Sequence, residues 1–197
     1  MMTINLTNKS ENIRMRPVAA RSGGQVERLL VQEYGGQTFN PVQAWLTGPR
    51  ADKRPSISID QGYGVPAERV YDAFLDPGTA GKWLFATAAH QMARVEIDPR
   101  VGGSYSFADR EDDREVVHAG VYLELVRPRR LVFTLSVEGY PQAVTRVTTD
   151  IIPLAQRCAL TLTHENLPSD RARYMEARWT GMLYGLGLIL EQGAEVD

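Results

Sequence analysis

The chain has 197 residues, 43% of them apolar and 23% charged, with a formal net charge of -2. That length suits one domain with an appendage, and the charge excludes a general polyanion binder, whose affinity rests on clustered Lys and Arg, so no nucleic-acid partner is expected. The single cysteine, Cys158, excludes an internal disulfide framework and a multi-cysteine zinc site.

Residues 1–54 read as an N-terminal arm, partly ordered at best. The stretch "MMTINLTNKSENIRMRP" is polar and weakly patterned, without the apolar core of a secretory signal. "QVERLLVQEYGG" fits a strand or a short helix closed by Gly35-Gly36, and "FNPVQAWL" offers Phe39 and Trp45 for docking. From residue 55 to 192 the pattern is that of a folded domain, with 193–197 as a tail.

"SISID" alternates at period two and reads as a strand. "VPAERVYDAFLDPG" follows as a helix, with Pro66 suited to its first turn and Ala67, Val70 and Phe74 on one stripe. Asp76-Pro77-Gly78 stops it, and "TAGKW" brings Trp83 back toward the body. "QMARVEID" sets Ala93, Val95 and Ile97 on one face of a strand, and "GSYSFAD" sets Tyr105 and Phe107 together. Between them, "DPRVGG" reads as a structural corner, with Pro99 fixing one dihedral and Gly102-Gly103 allowing a sharp turn.

"VVHAGVYLELV" groups Val117, Ala119, Val121, Leu123 and Leu125 opposite His118, Tyr122 and Glu124. "RLVFTLSVE", "AVTRVTTDII" and "CALTLTHE" complete the series, so an antiparallel sheet covered on one side is expected. From about Ser169, a plausible N-cap, to Gln192, Met175, Trp179, Met182, Leu186 and Ile189 recur at alternating four- and three-residue steps, a long amphipathic helix. Gly181, Gly185 and Gly187 each cost that helix roughly 1 kcal/mol relative to alanine. Its longest apolar run, 181–190, falls short of the ~20 residues a membrane span needs, so no membrane partner is expected. The fold class is α+β, a helix-grip in which a curved antiparallel sheet wraps a long C-terminal helix.

The blocks "VPAERVYDAFLDPGTAGKWL", "IDPRVGGSYSF", "HAGVYLELVRPRRLVFT", "LTLTHENLP" and "RWTGMLYGLGLIL" stand in the order and spacing of a known family. Over roughly residues 55–192 the chain resembles the Hsp90-ATPase-activator-like branch of the START/Bet v1-like superfamily. The resemblance implies the helix-grip fold and a cavity beneath the last helix. The chain departs from the family pattern at Arg178, where glycine usually precedes the tryptophan, and at Lys82-Trp83-Leu84, where a second aromatic is common.

Trp83, Tyr105, Phe107, Phe133, Trp179 and Met182 are expected between sheet and helix, either as plain core or as the lining of an apolar ligand site. His164 shares strand parity with Leu160 and Leu162 and points the same way, where an imidazole either bonds to its surroundings or contacts a ligand. His118 falls on the expected outer face and His90 in a loop; the three histidines show no metal-ligand spacing. "DREDDRE" reads as a solvated hairpin tip rather than a calcium loop, and Cys158 as an inert packed thiol. No dinucleotide fingerprint, phosphate-binding loop or nucleophile elbow is present, and no cofactor is expected.

The functional expectation is therefore a cytoplasmic module that binds a small hydrophobic molecule without committed catalysis. The family resemblance adds an alternative: chaperone binding with modulation of its ATPase. A third is a cyclase- or hydrolase-like enzyme that pairs His164 with Asp98 or Glu165. A homodimer is open to all three.

Overall fold

A computed structural model describes residues 14–22, 25–34, 37–39, 54–86, 91–111, 114–137 and 144–192. The chain divides into two compact units, Met1–Pro41 and Val42–Asp197. The first holds a three-stranded antiparallel sheet of β1 (Arg14–Ser22), β2 (Gln25–Tyr34) and β3 (Gln37–Phe39), in that order. "QVERLLVQEY" is thus a strand. Ser22 pairs with Gln25 and Tyr34 with Gln37 at the ends of the two ladders. The docking considered for Phe39 and Trp45, His90 and the centre of the "DREDDRE" tip lie outside the described side chains.

The second unit is built on seven antiparallel strands in the order β4-β10-β9-β8-β7-β6-β5. These are β4 (Ile57–Tyr63), β5 (Gln91–Ile97), β6 (Ser104–Glu111), β7 (Arg114–Val126), β8 (Arg130–Val137), β9 (Thr145–Leu154) and β10 (Arg157–Glu165). Between β4 and β5 come α1 (Ala67–Asp72) and α2 (Pro77–Trp83); α3 (Ala172–Gln192) ends the fold. The helix-grip expectation holds. Asp76, expected to stop the first helix, also starts the second: its carboxylate accepts the Thr79 backbone N–H at 2.7 Å. Ser169 is not the N-cap of α3, because a turn closed by Arg171 N–H to the Pro168 carbonyl comes first.

Two β-bulges change which residues face α3. In β5 the register shifts between Met92 and Arg94, so Met92, rather than the exposed Ala93, joins Val95 and Ile97 against the core. In β7 it shifts between Tyr122 and Glu124. His118 and Tyr122 therefore share the inner face with Leu125, while Val117, Ala119 and Val121 lie on the opposite face. That opposite face is buried as well at Ala119, Val121 and Val132, so β7 and β8 are covered on both sides. The alternation does not show this, because small and β-branched residues occupy both parities there.

The "DPRVGG" corner is structural. Gly102 adopts φ 77°, its N–H bonds the Tyr122 carbonyl, and a Cβ on Gly103 would stand 2.2 Å from the Asp98 carbonyl oxygen. Asp98 pairs with Arg100 across the turn. At Gly120 the constraint is tighter: a Cβ there would meet the Thr134 carbonyl oxygen at 1.8 Å. That carbonyl accepts the Tyr105 hydroxyl at 2.7 Å, and Tyr105 lies directly across from Gly120 in the ladder.

Two side-chain bonds hold the C-terminal half of α3 to the rest of the unit: Tyr63 Oη donates to the Leu183 carbonyl and Arg69 Nη2 to that of Leu190, each at 3.0 Å. Trp179, Leu183 and Leu186 are fully buried beneath them, each contributing about 1.5–3 kcal/mol of apolar transfer. Gly120→Ala is expected to lower unfolding free energy by about 2 kcal/mol or more, through backbone displacement and loss of the Tyr105 bond. Gly62→Ala, where an added Cβ meets nothing within 4 Å, is the control, expected within ~0.5 kcal/mol of wild type. Urea titration of both variants checks the contrast.

Candidate functional site

The inner face of the sheet and the buried stripe of α3 bring the expected aromatic residues into one cluster. Trp83, Tyr105, Phe107, Phe133, Trp179 and Met182 all belong to it, each no more than 5% exposed. Tyr105 stands edge-on to Phe107 and Phe133, with ring centroids at 5.8 and 5.7 Å. Trp83 serves a different corner. Its indole N–H donates to the Ala73 carbonyl, and its ring meets Phe74 edge-on at 4.7 Å, fixing α2 against the end of α1.

His164 sits where α3 meets β10, and both of its ring nitrogens are engaged. Trp179 Nε1–H can only donate, so His164 Nδ1 accepts its bond at 3.0 Å and carries no proton. The proton is on Nε2, which faces Thr145 Oγ1 at 2.7 Å; Thr145 in turn donates to the Leu135 carbonyl. A directed line of hydrogen bonds thus runs from α3 through β10 and β9 to β8. Burial lowers the imidazole pKa to about 4. The carboxylates considered as partners lie elsewhere: Asp98 pairs with Arg100, and Glu165 faces Arg146. The dyad needed for a His164-centred enzyme is not formed.

His118 differs. The β7 bulge turns it inward, opposite Phe107 in the ladder and 5% exposed. Its ring stacks on Phe85 at 4.6 Å and 11°. Its Nδ1 is buried and has no hydrogen-bond partner among the described residues. Desolvation, with a smaller contribution from the nearby Arg178 charge, lowers its pKa to about 3. A neutral imidazole left this way offers an unmet hydrogen bond, and burying such a group costs about 1–3 kcal/mol. Thr149 Oγ1, on the same face as Val147 and Ile151, is also buried, with no hydrogen-bond partner among the described residues.

Phe85 joins these groups. It follows α2 in the left-handed region at φ 62°, an unfavourable place for a bulky residue. Two α3 side chains hold it there: its N–H donates to Met182 Sδ at 3.1 Å, and its carbonyl accepts from Arg178 Nη2 at 3.0 Å. Its ring also contacts Phe107 and Trp179 edge-on. Sequence reasoning missed Phe85 and misplaced His118. The run "KWLF" signals only burial for the first, and the second is set by a bulge. Arg178, noted as a departure from the family pattern, is the clamp on Phe85. Among the described residues, no group of three His, Cys, Asp or Glu side chains stands close enough to hold a metal ion. Cys158 is buried and its thiol pKa raised, chiefly by desolvation, so little thiolate is available.

Both histidines bind protons less well folded than unfolded. An unfolded imidazole titrates near 6.5, so the unfolded chain takes up protons first as pH falls. Stability is full above about pH 6.5 and is lost progressively toward about 4 for His164 and about 3 for His118. The loss from His164 is on the order of 3 kcal/mol. Urea midpoints are expected to fall steeply from about pH 6.5 to about pH 4, and more shallowly in His164→Gln, which removes one titrating group. A wild-type midpoint flat across that window contradicts the assignment.

The family model described as Activator of Hsp90 ATPase homolog 1-like protein matches residues 64–191. A search of curated proteins returned no match. Among solved structures, protein CV1439 from Chromobacterium violaceum is 28% identical with a TM-score of 0.63, covering 69% of this chain and 97% of its own. CalU16 from Micromonospora echinospora is 24% identical with a TM-score of 0.52, over 68% and 74% of the two chains. The Aha1 dimer from Colwellia psychrerythraea shares the fold at 14% identity, TM-score 0.54, over 68% and 93%. No described helix is long and apolar enough to cross a membrane. With the model spanning both inner helices, six of the seven sheet strands and nearly all of α3, the chain belongs to the Activator of Hsp90 ATPase homolog 1-like family.

Proposed function

We propose that the protein binds a small, largely apolar molecule between the inner sheet face and α3, without a committed reaction. The observation that carries this reading is the unpartnered Nδ1 of His118, buried among Phe85, Phe107 and the Arg178 side of α3. The ligand supplies the missing hydrogen bond, and an aromatic or alicyclic body replaces the Phe85 ring against His118. Tyr105, Phe107, Phe133, Trp179 and Met182 provide the surrounding apolar wall; Trp83 supports it from α2, and His164 fixes the helix behind it. The strained backbone of Phe85 favours its displacement, because release recovers about 1–3 kcal/mol. Proton transfer near neutral pH is not the task of either imidazole, both lying well below that range. A cytoplasmic setting suits the one buried thiol.

Thermal-shift screening with polyketide-like aromatics, fatty acids and lipids tests the proposal. At a ligand concentration ~100-fold above Kd the expected stabilisation is about 2.7 kcal/mol. His118→Phe keeps the stack on Phe85 and removes the polar atom; it is expected to weaken binding about 5- to 10-fold. No stabilisation by any class, or equal binding by the variant, overturns the reading.

A second reading, chaperone binding, is supported by the family description and by the Aha1 neighbour. An ATPase assay with a purified Hsp90 homologue separates the two, since stimulation there would be independent of the His118→Phe substitution.

A further inference from the structure

Helix α3 is apolar on two faces. The inner stripe of Met175, Trp179, Met182, Leu186 and Ile189 meets the core. On the outer face Tyr174, Ala177, Gly181, Tyr184 and Leu188 recur at steps of three and four, the spacing of a helix-packing seam. Tyr174, Tyr184 and Leu188 are 52%, 63% and 45% exposed. A monomer gains nothing from two tyrosines and a leucine aligned in water.

The glycines sharpen the point. Gly187 lies against the Tyr63 ring at 3.6 Å, which explains it. A Cβ on Gly181 or Gly185 would meet nothing within 4 Å. Alanine at either position would favour the helix by roughly 1 kcal/mol, and nothing within the fold opposes it. A glycine on an exposed helix face is explained when another backbone comes close.

We propose that this face pairs with the same face of a second copy, the two α3 helices antiparallel about a two-fold axis near Gly181. The arithmetic of the seam is self-complementary about that residue. Tyr174 falls opposite Leu188 of the other copy, Ala177 opposite the turn carrying Tyr184 and Gly185, and Gly181 opposite itself, where the two backbones approach most closely. Charge selects the same direction. Exposed Arg173 lies near the start of the helix and exposed Glu191 near its end, so antiparallel pairing sets opposite charges together and opposes the helix dipoles. Parallel pairing would set Arg173 beside Arg173 and Glu191 beside Glu191. A 21-residue helix is ~31 Å long, and one helix pair buries less than the ~800 Å² per partner of a standard interface. The dimer is therefore weak, with Kd on the order of micromolar.

Sedimentation velocity on the full chain from about 1 µM to about 1 mM is expected to show a reversible monomer–dimer equilibrium. Tyr184→Glu, on an exposed position that leaves the fold intact by circular dichroism, is expected to raise the dimer Kd at least ~10-fold through buried charge. Gly181→Cys is expected to cross-link to itself under mild oxidation, since a disulfide needs Cα atoms within ~7 Å. Exposed Gln156→Cys, in the β9–β10 turn, is expected to cross-link at least ~10-fold more slowly. Three results overturn the proposal: a wild type that stays monomeric throughout, a dimer unaffected by Tyr184→Glu, or equal cross-linking at residues 156 and 181.

Discussion

The hydrogen-bond line from Trp179 through His164 and Thr145 to the Leu135 carbonyl is the constraint on which the arrangement depends. Apolar burial alone holds a helix against a sheet without fixing its rotation or its height. The indole donor has one direction, the neutral imidazole relays it, and the threonine hydroxyl passes it to the backbone. Because every polar atom in the line is satisfied, it fixes one rotation of α3 and leaves alternatives with buried, unpaired groups. That rotation decides which residues of α3 face the sheet, which clamp Phe85, and which remain outside.

Fixing the helix separates the two buried histidines by role. His164 is consumed by structure: both nitrogens are bonded, and a second proton would face the Trp179 N–H. His118 is presented by structure and left unmet, stacked on a phenylalanine whose backbone is held in an unfavourable conformation by Met182 and Arg178. A satisfied polar group rigidifies, whereas an unsatisfied one beside a strained aromatic stores free energy that a ligand can recover. The same rotation leaves Tyr174, Tyr184 and Leu188 exposed, so the proposed ligand site and the proposed pairing face both follow from one orientation.

Much of this was legible in the sequence. The strand series, the terminal helix and the inward direction of His164 follow from period-two and period-3.6 patterns, and five ordered blocks fix the family. The errors have physical causes. Parity counting fails at a bulge, so Ala93 was expected in place of Met92 and His118 on the wrong face. Ser169 resembles an N-cap, but the Pro168–Arg171 turn delays the helix by a few residues. Phe85 was overlooked because a left-handed phenylalanine has no local signature; its position depends on side chains nearly a hundred residues away.

The proposed division between a structural His164 and a ligand-binding His118 is tested most directly by imidazole nitrogen NMR during titration with a ligand identified by screening. The account predicts that His164 keeps its Nε2–H tautomer and its shifts throughout, while the His118 nitrogens move with saturation. A ligand that shifts the His164 nitrogens and leaves those of His118 unchanged would contradict it.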